Sequence, residues 1–455
     1  MNSRINRVDW IYFAISAVLF VAGIFFHLVG NYPVVAILAI VINILFLVKF
    51  RNKIPLFILF VYILLHTKVF ITYFIQGYSI SYWEDFQNPA VLGTVLVAHL
   101  VFIFFLGNSV TNKVSQTTYN ITSVAKSNVY LFFTFAFVGV LILIFGLRGE
   151  NIFQSGVYAD SETVTKSTLH EYFIIIFLFL VIYAPQGKFY KAIVLFFFLI
   201  FIGKTLLYGG RVEVLQISLM YFYIFYVFKS RVKLKHIIMM LVFGVYISGV
   251  VSNIRANPLN FLNGNYIDFL SPGQILFPKT ENEMISSTEG DVIQASARMI
   301  GMAKTGDIST LERMSSFISY LASPIVPASI LPATTNLATF KQEFYHSGGG
   351  GLISSYFFIW LGYAGPILIA LILGFFITKF YEFENGYYII YGTCLLSMFP
   401  RWFSYSPILI IKFSVYAVIL YIIVIMVVDA FRNLFLYNAG RKKMNNVFRR
   451  TTSKI

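Results

Sequence analysis

The sequence predicts an all-α polytopic integral membrane protein of about twelve transmembrane helices, with a large external loop that contains short amphipathic helices. Three observations predict it. Of the 455 residues 58% are hydrophobic and only 12% are charged, against roughly 25% charged in soluble domains. The apolar residues come in runs long enough to cross a bilayer, separated by short polar connections. One connection, 253–351, is far longer than the others and mixes charge with apolar stretches, which marks a functional segment.

In chain order, spans are expected near 9–28, 33–48, 55–75, 89–106, 128–147, 171–185, 189–207, 212–228, 236–252, 352–378, 387–399 and 406–428. The first lacks a small-residue cleavage site and is too long for a signal peptide, so it reads as a retained helix. Basic residues of short loops stay on the cytoplasmic side. Placing Arg4 and Arg7 there and alternating brings Lys49, Arg51, Lys53, Lys188, Lys191, Lys229 to Lys235, Lys379 and the tail from Arg432 to Lys454 to the same side. Both termini are then cytoplasmic and 253–351 is external. The chain divides into nine spans in 1–252, the loop 253–351, three spans in 352–428 and a basic tail, 429–455. That tail reads either as resting on anionic lipid, at about 1 kcal/mol per charge, or as a disordered segment that only sets orientation.

The same topology accounts for the net charge of +15, which is therefore no sign of nucleic acid. A single cysteine, Cys394, excludes an internal disulfide. The sequence carries neither a nucleotide-binding phosphate loop nor a His/Cys/Asp cluster with metal-ligand spacing, so no cofactor and no metal are expected.

Five arginines depart from the positive-inside pattern. Arg211 follows Gly209-Gly210 at the outer end of a span, and Arg255 sits just past the end of another. Arg298 and Arg313 lie in the large loop, and Arg401 in Phe399-Pro400-Arg401-Trp402-Phe403. A planar guanidinium offers two parallel hydrogen bonds to phosphate oxygens, so arginines at one membrane face suit a pyrophosphate clamp. Snorkelling into headgroups explains any one of them equally well. Within the loop, Ser309-Thr310-Leu311-Glu312 reads as a capping box. Leu311, Met314, Phe317, Ile318 and Leu321 follow at helical spacing until Pro324. A second helix is expected over 291–304, with Val292, Ala295, Met299 and Met302 as its apolar side. Such helices lie along the interface or pack into a groove between spans.

His346 precedes the run Gly348 to Gly351, and Glu343 stands about one turn earlier. Either is a candidate to take a proton from a substrate hydroxyl, a solvated loop histidine being the plain alternative. Glycines at a helix start let backbone approach a ligand, and the free amides there favour anions. His170 is a weaker candidate, and His66 and His99 fall inside spans, where a buried, hydrogen-bonded role is expected.

Tyr208-Gly209-Gly210-Arg211 at a helix start, the late external loop, Ser347 through Leu352, the stretch Trp360 through Pro366, and Arg401 together resemble the Wzy-type O-antigen or oligosaccharide repeat-unit polymerases. The resemblance implies a GT-C-like membrane glycosyltransferase architecture shared with O-antigen ligases. It implies a bacterial inner membrane location, an undecaprenyl-pyrophosphate-linked oligosaccharide as substrate, membrane lipids as surroundings and a chain-length regulator protein as partner. Arg211 matches the family's helix-end arginine, whereas Arg255, Arg298, Arg313 and His346 correspond by loop position only. A ligase is the nearest variant, because ligases place a histidine in the corresponding loop. The alternative from another class is a flippase or transporter of lipid-linked oligosaccharide, which also needs cationic grooves. Transporters show broken helices and polar groups at the midplane. In the sequence, polar content gathers in one loop instead, which favours the polymerase.

Overall fold

The computed structural model describes residues 7–77, 88–110, 127–146, 169–207, 211–224, 288–326, 350–382 and 385–452, with a few isolated positions between them. Every regular element among these is a helix. They are α1 (Arg7–Leu28), α2 (Tyr32–Lys49), α3 (Ile54–Phe74), α4 (Pro89–Ser109), α5 (Val129–Phe145), α6 (Leu169–Tyr183), α7 (Lys188–Leu207) and α8 (Arg211–Phe222). In the later chain come α9 (Thr288–Thr305), α10 (Thr310–Ala322), α11 (Ile353–Leu361), α12 (Ala364–Glu382), α13 (Gly386–Ser397), α14 (Phe399–Ser404) and α15 (Ile408–Thr452).

Six of them are long and apolar enough to cross a membrane: Asp9–Leu28, Tyr32–Lys49, Ile54–Phe74, Pro89–Ser109, Ala364–Glu382 and Ile408–Ala430. The chain is therefore an α-helical, multi-pass membrane protein. Shorter apolar helices stand at the expected spans 128–147, 171–185 and the start of 212–228. The expected span 236–252, the loop as far as residue 287 and the stretch 341–349 lie outside the described residues, apart from isolated positions.

Local signals start the helices. Asn31, Asn88, Asn128 and Asn385 each cap a helix by accepting a hydrogen bond from a first-turn amide. Proline in the first turn of α2, α3 and α4 removes an amide that would have no partner there.

Packing centres on α4. Its residues from Val91 to Phe104 are buried on all sides, and it is flanked by α1, α2, α9, α11 and α12. The Lys49 ammonium donates to the Gly107 carbonyl at 2.8 Å, tying the ends of α2 and α4. At the same end Ser109 Oγ, which donates to the Leu106 carbonyl of its own helix, lies 3.5 Å from the Ala370 carbonyl, and Lys53 lies 4.9 Å from the Tyr381 ring. This end thus carries the basic residues. At the opposite end Tyr363 meets His27. A second group, α5 to α8, packs in sequence and joins α13, α14 and α15.

The expected continuous span 352–378 is two helices. Gly362 has φ 61° and ψ −151°, a backbone region essentially reserved for glycine, and it ends α11. The chain then turns so sharply that Gly365, at the start of α12, lies against the Phe357 carbonyl. Only α12 is long enough to span. Hydropathy cannot detect this break, because both halves are apolar and the turn costs a single glycine.

The two loop helices also form. α9 begins three residues before the expected 291 and takes the groove placement, among α3, α4 and α11. Its residues Val292 to Met302 are buried almost without interruption, well beyond the four apolar positions expected. On α10 the capping box is present: Ser309 Oγ accepts from the Glu312 amide at 3.2 Å, and Glu312 Oε2 from the Ser309 amide at 2.7 Å.

Gly365→Ala should therefore destabilise the protein by about 1–3 kcal/mol, because its methyl would collide with backbone. Gly203→Ala, with open space around it on α7, should be neutral or stabilising by roughly 0.5–1 kcal/mol. Thermal unfolding in detergent compares them; equal midpoints would overturn the close α11–α12 turn.

Candidate functional site

The described arginines are carried on helices that share one neighbour. Arg298 on α9, Arg313 on α10 and Arg401 on α14 all belong to elements packed against α11. Arg298 is buried, one turn after the equally buried Gln294. Arg313 is half-buried and donates from Nη2 to Thr310 Oγ1 at 2.9 Å, a bond within its own helix. Arg211 starts α8, a position set by its backbone alone. Arg255, Glu343 and His346 lie outside the described residues.

Arg401 has the fullest surroundings. Pro400 opens the short helix α14, whose turn aims the guanidinium between α6 and α8. Its Nη1 donates to Glu213 Oε1 and its Nη2 to Glu171 Oε1, both at 2.8 Å. The expected phosphate ligand thus has both sides of its fork engaged by protein carboxylates, which bind a guanidinium by the same geometry as phosphate. An incoming diphosphate would have to displace at least one of them. Glu213 is almost fully buried, and a carboxylate there requires such a partner.

A second polar cluster joins α3, α4 and α14. His66 Nδ1 is 2.9 Å from the Tyr62 carbonyl, which can only accept, so Nδ1 carries the proton of the neutral ring. Nε2 is then the acceptor for Ser404 Oγ at 3.2 Å, and Ser404 in turn accepts from the Tyr62 hydroxyl at 2.8 Å. Beside this chain, Thr67 Oγ1 and His99 Nε2 are 3.0 Å apart. At about 1.5 Å per residue, His66 stands about 18 Å from the Ile54 end of α3 and about 12 Å from its Phe74 end. Both histidines thus have the buried, hydrogen-bonded role expected from their place in spans.

The end of the glycine run docks on this cluster. The Gly351 amide donates to the Ser404 carbonyl at 2.9 Å, and the Leu352 amide to Ser296 Oγ of α9 at 2.8 Å. A side chain on Gly350 would meet that same Ser404 carbonyl. Expected as a place for an anion, the two amides at the head of α11 are instead satisfied by protein. Tyr356 completes the joint by donating to the Tyr405 carbonyl at 2.8 Å.

Acidic groups lie at the start of α9. Glu289 is close enough for its charge to act on His66 and on Tyr62. Asp291, whose tip meets solvent, is pushed up to about 6 by the surrounding protein and, second, by Glu289. Among the described residues no three His, Cys, Asp or Glu side chains are placed to hold a metal ion.

Sequence reasoning missed Glu213 and Ser404. Glu213 had one available signal: it lies two residues past Arg211, in the first turn of an apolar helix where a lone acid needs a cation. Ser404 had none. Comparison with family models, with curated proteins and with solved structures finds no match to this chain.

Arg401→Met should cost about 2–3 kcal/mol, somewhat less than the loss of a fully buried partner, since it leaves two carboxylates facing each other. Adding Glu213→Gln should recover part of that loss. If Arg401→Met unfolds at the wild-type temperature, the carboxylate pairing is not structural.

Proposed function

We propose that this protein is a membrane glycosyltransferase that polymerises lipid-linked oligosaccharide repeat units. In this reading it lies in a bacterial inner membrane with about twelve spans, a GT-C-like architecture and cytoplasmic termini, and it acts at the outer face. The observation that carries the reading is α9. Its Arg298 is buried where the helix packs among α3, α4 and α11, inside an otherwise apolar bundle, while Asp291 and Lys304 near the helix ends are exposed. A charged group buried inside such a bundle is costly and marks a functional site. The motif resemblance of Tyr208 through Arg211 and of Trp360 through Pro366 supports the same class.

The chemistry is a displacement at the anomeric carbon. A hydroxyl of the new repeat unit attacks the first sugar of the growing chain and forms the new C–O bond. The bond from that sugar to the carrier diphosphate breaks, and undecaprenyl pyrophosphate leaves with the electron pair. Arg211 and Arg298, with Arg255 and Arg313 as further candidates, would offset the charge that develops on the diphosphate. Glu343 or His346 would take the hydroxyl proton. Arg401 serves this scheme indirectly, by joining α14 to α6 and α8.

A specific feature favours the second reading, a flippase of the same substrate. α11 stops at Gly362 and α13 gives way to α14 within the bundle, and such discontinuous helices are the usual ligand-holding elements of transporters. Polar α9 inside the bundle also removes the argument that polar content belongs to an outer loop alone.

Polymer length separates the readings. Arg211→Ala and Arg298→Ala should each lower polymerisation by roughly 10²- to 10³-fold, as loss of one charge-stabilising donor does, and leave single repeat units on the cell surface. Lysine should restore little, since it lacks the two-bond fork. Long polymer from both variants would overturn the clamp; no surface repeat at all would favour the flippase.

A further inference from the structure

We infer that α10 is a wall set in the hydrocarbon layer, with its apolar face turned outward to the acyl chains of membrane lipids and its serines turned inward. The helix is amphipathic, as its sequence requires, but the face it gives to the protein holds its serines, with Phe317 and Tyr320 beside them, and most of its aliphatic side chains point away. Ser316 and Ser319 are buried, at 0% and 8% exposure, while Leu311 is 80%, Ile318 62% and Leu321 52% exposed. Ile325, just beyond the helix, is 89% exposed. A helix covering a water-filled cavity, or folded onto a soluble core, would show the reverse order, since apolar surface leaves water wherever it can.

The inward face is held by specific contacts. Trp360 Nε1 on α11 donates to Ser316 Oγ at 3.0 Å. Tyr320 stacks near the Trp360 ring at 4.9 Å between centroids, with Phe357 edge-on at 5.7 Å. The end of the helix is fixed by Tyr416, whose hydroxyl donates to the Pro324 carbonyl at 2.9 Å.

That last bond fixes the depth. Tyr416 lies inside the spanning stretch Ile408–Ala430, so the C-terminal end of α10 is level with membrane-spanning backbone. On the same spanning helix Ile419, Ile422 and Met426 are exposed, as lipid-facing residues are. The outward residues of α10 are exposed as these are, and lipid is the one occupant that suits an apolar face at that level. The capping box and Asp307 lie at the other end of the helix, where the chain leaves Gly306, so the polar residues mark its shallow end.

Spin labels attached to single cysteines test this in the full-length protein, reconstituted in phosphatidylcholine vesicles. Cys394 is buried and does not compete for the label. Labels at Ile318→Cys and Leu321→Cys should be relaxed strongly by oxygen, which concentrates in hydrocarbon, and should lose most relaxation by a water-soluble nickel chelate. A label at Asp307→Cys should show the opposite order. Nickel relaxation at Ile318 and Leu321 equal to that at Asp307 would overturn the inference and make α10 a water-facing lid. Spin–spin broadening at Ile318, removed by dilution with unlabelled protein, would assign the face to a second copy of the chain instead.

Discussion

Burial of α4 on every side is the constraint on which the rest of this bundle depends. A helix without a polar stripe has no orientation of its own, so its neighbours decide how it sits. Five helices surround it, and two of them, α9 and α11, are not spanning elements at all. The bundle is thus closed around α4 partly by segments that lie between spans in the sequence. Removing them would expose α4 to lipid and would take away the Lys304 ammonium of α9, which donates to Thr94 Oγ1 at 2.8 Å. His99 would keep its partner, because Thr67 is on α3.

Polar groups inside the bundle are arranged as joints between helices. Ser404 receives α3 through Tyr62 and His66 and receives the head of α11 through its carbonyl. Arg401, three residues earlier, ties the same short helix to α6 and α8. α14 is only six residues long and has little helical stability of its own. Its position is set by these bonds, and it in turn holds the two groups of helices together. A change in the charge of Glu171, Glu213 or Arg401 would therefore act on the seam between the groups, whichever substrate the protein handles.

Several features were legible in the sequence because they are local. The capping box at Ser309 and Glu312 needs only residues three apart, and it forms. The spans at 9–28, 33–48, 55–75 and 89–106 follow from apolar run length. The buried roles of His66 and His99 followed from their place within such runs. Legibility failed where the decisive partner is remote: Arg401 meets Glu213 and Glu171, which are 188 and 230 residues away along the chain. It failed again at Gly362, where one residue with φ 61° divides an apolar stretch that run length alone joins.

The amphipathic pattern of α10 shows where the division falls. By itself the sequence determined that this chain is helical and membrane-embedded, since a bilayer leaves the backbone no other way to satisfy its amides and carbonyls. It also determined which face of α10 is apolar, since a 3.6-residue period is a property of neighbouring residues. Only the tertiary structure decided what that face meets. In water an apolar face turns inward; at the depth fixed by Tyr416 it turns outward, and the serines find Trp360 and the bundle instead. The physical reason is that the hydrophobic effect orients a helix relative to its solvent, and which solvent surrounds α10 is set by contacts with α11 and α15 that no local pattern encodes.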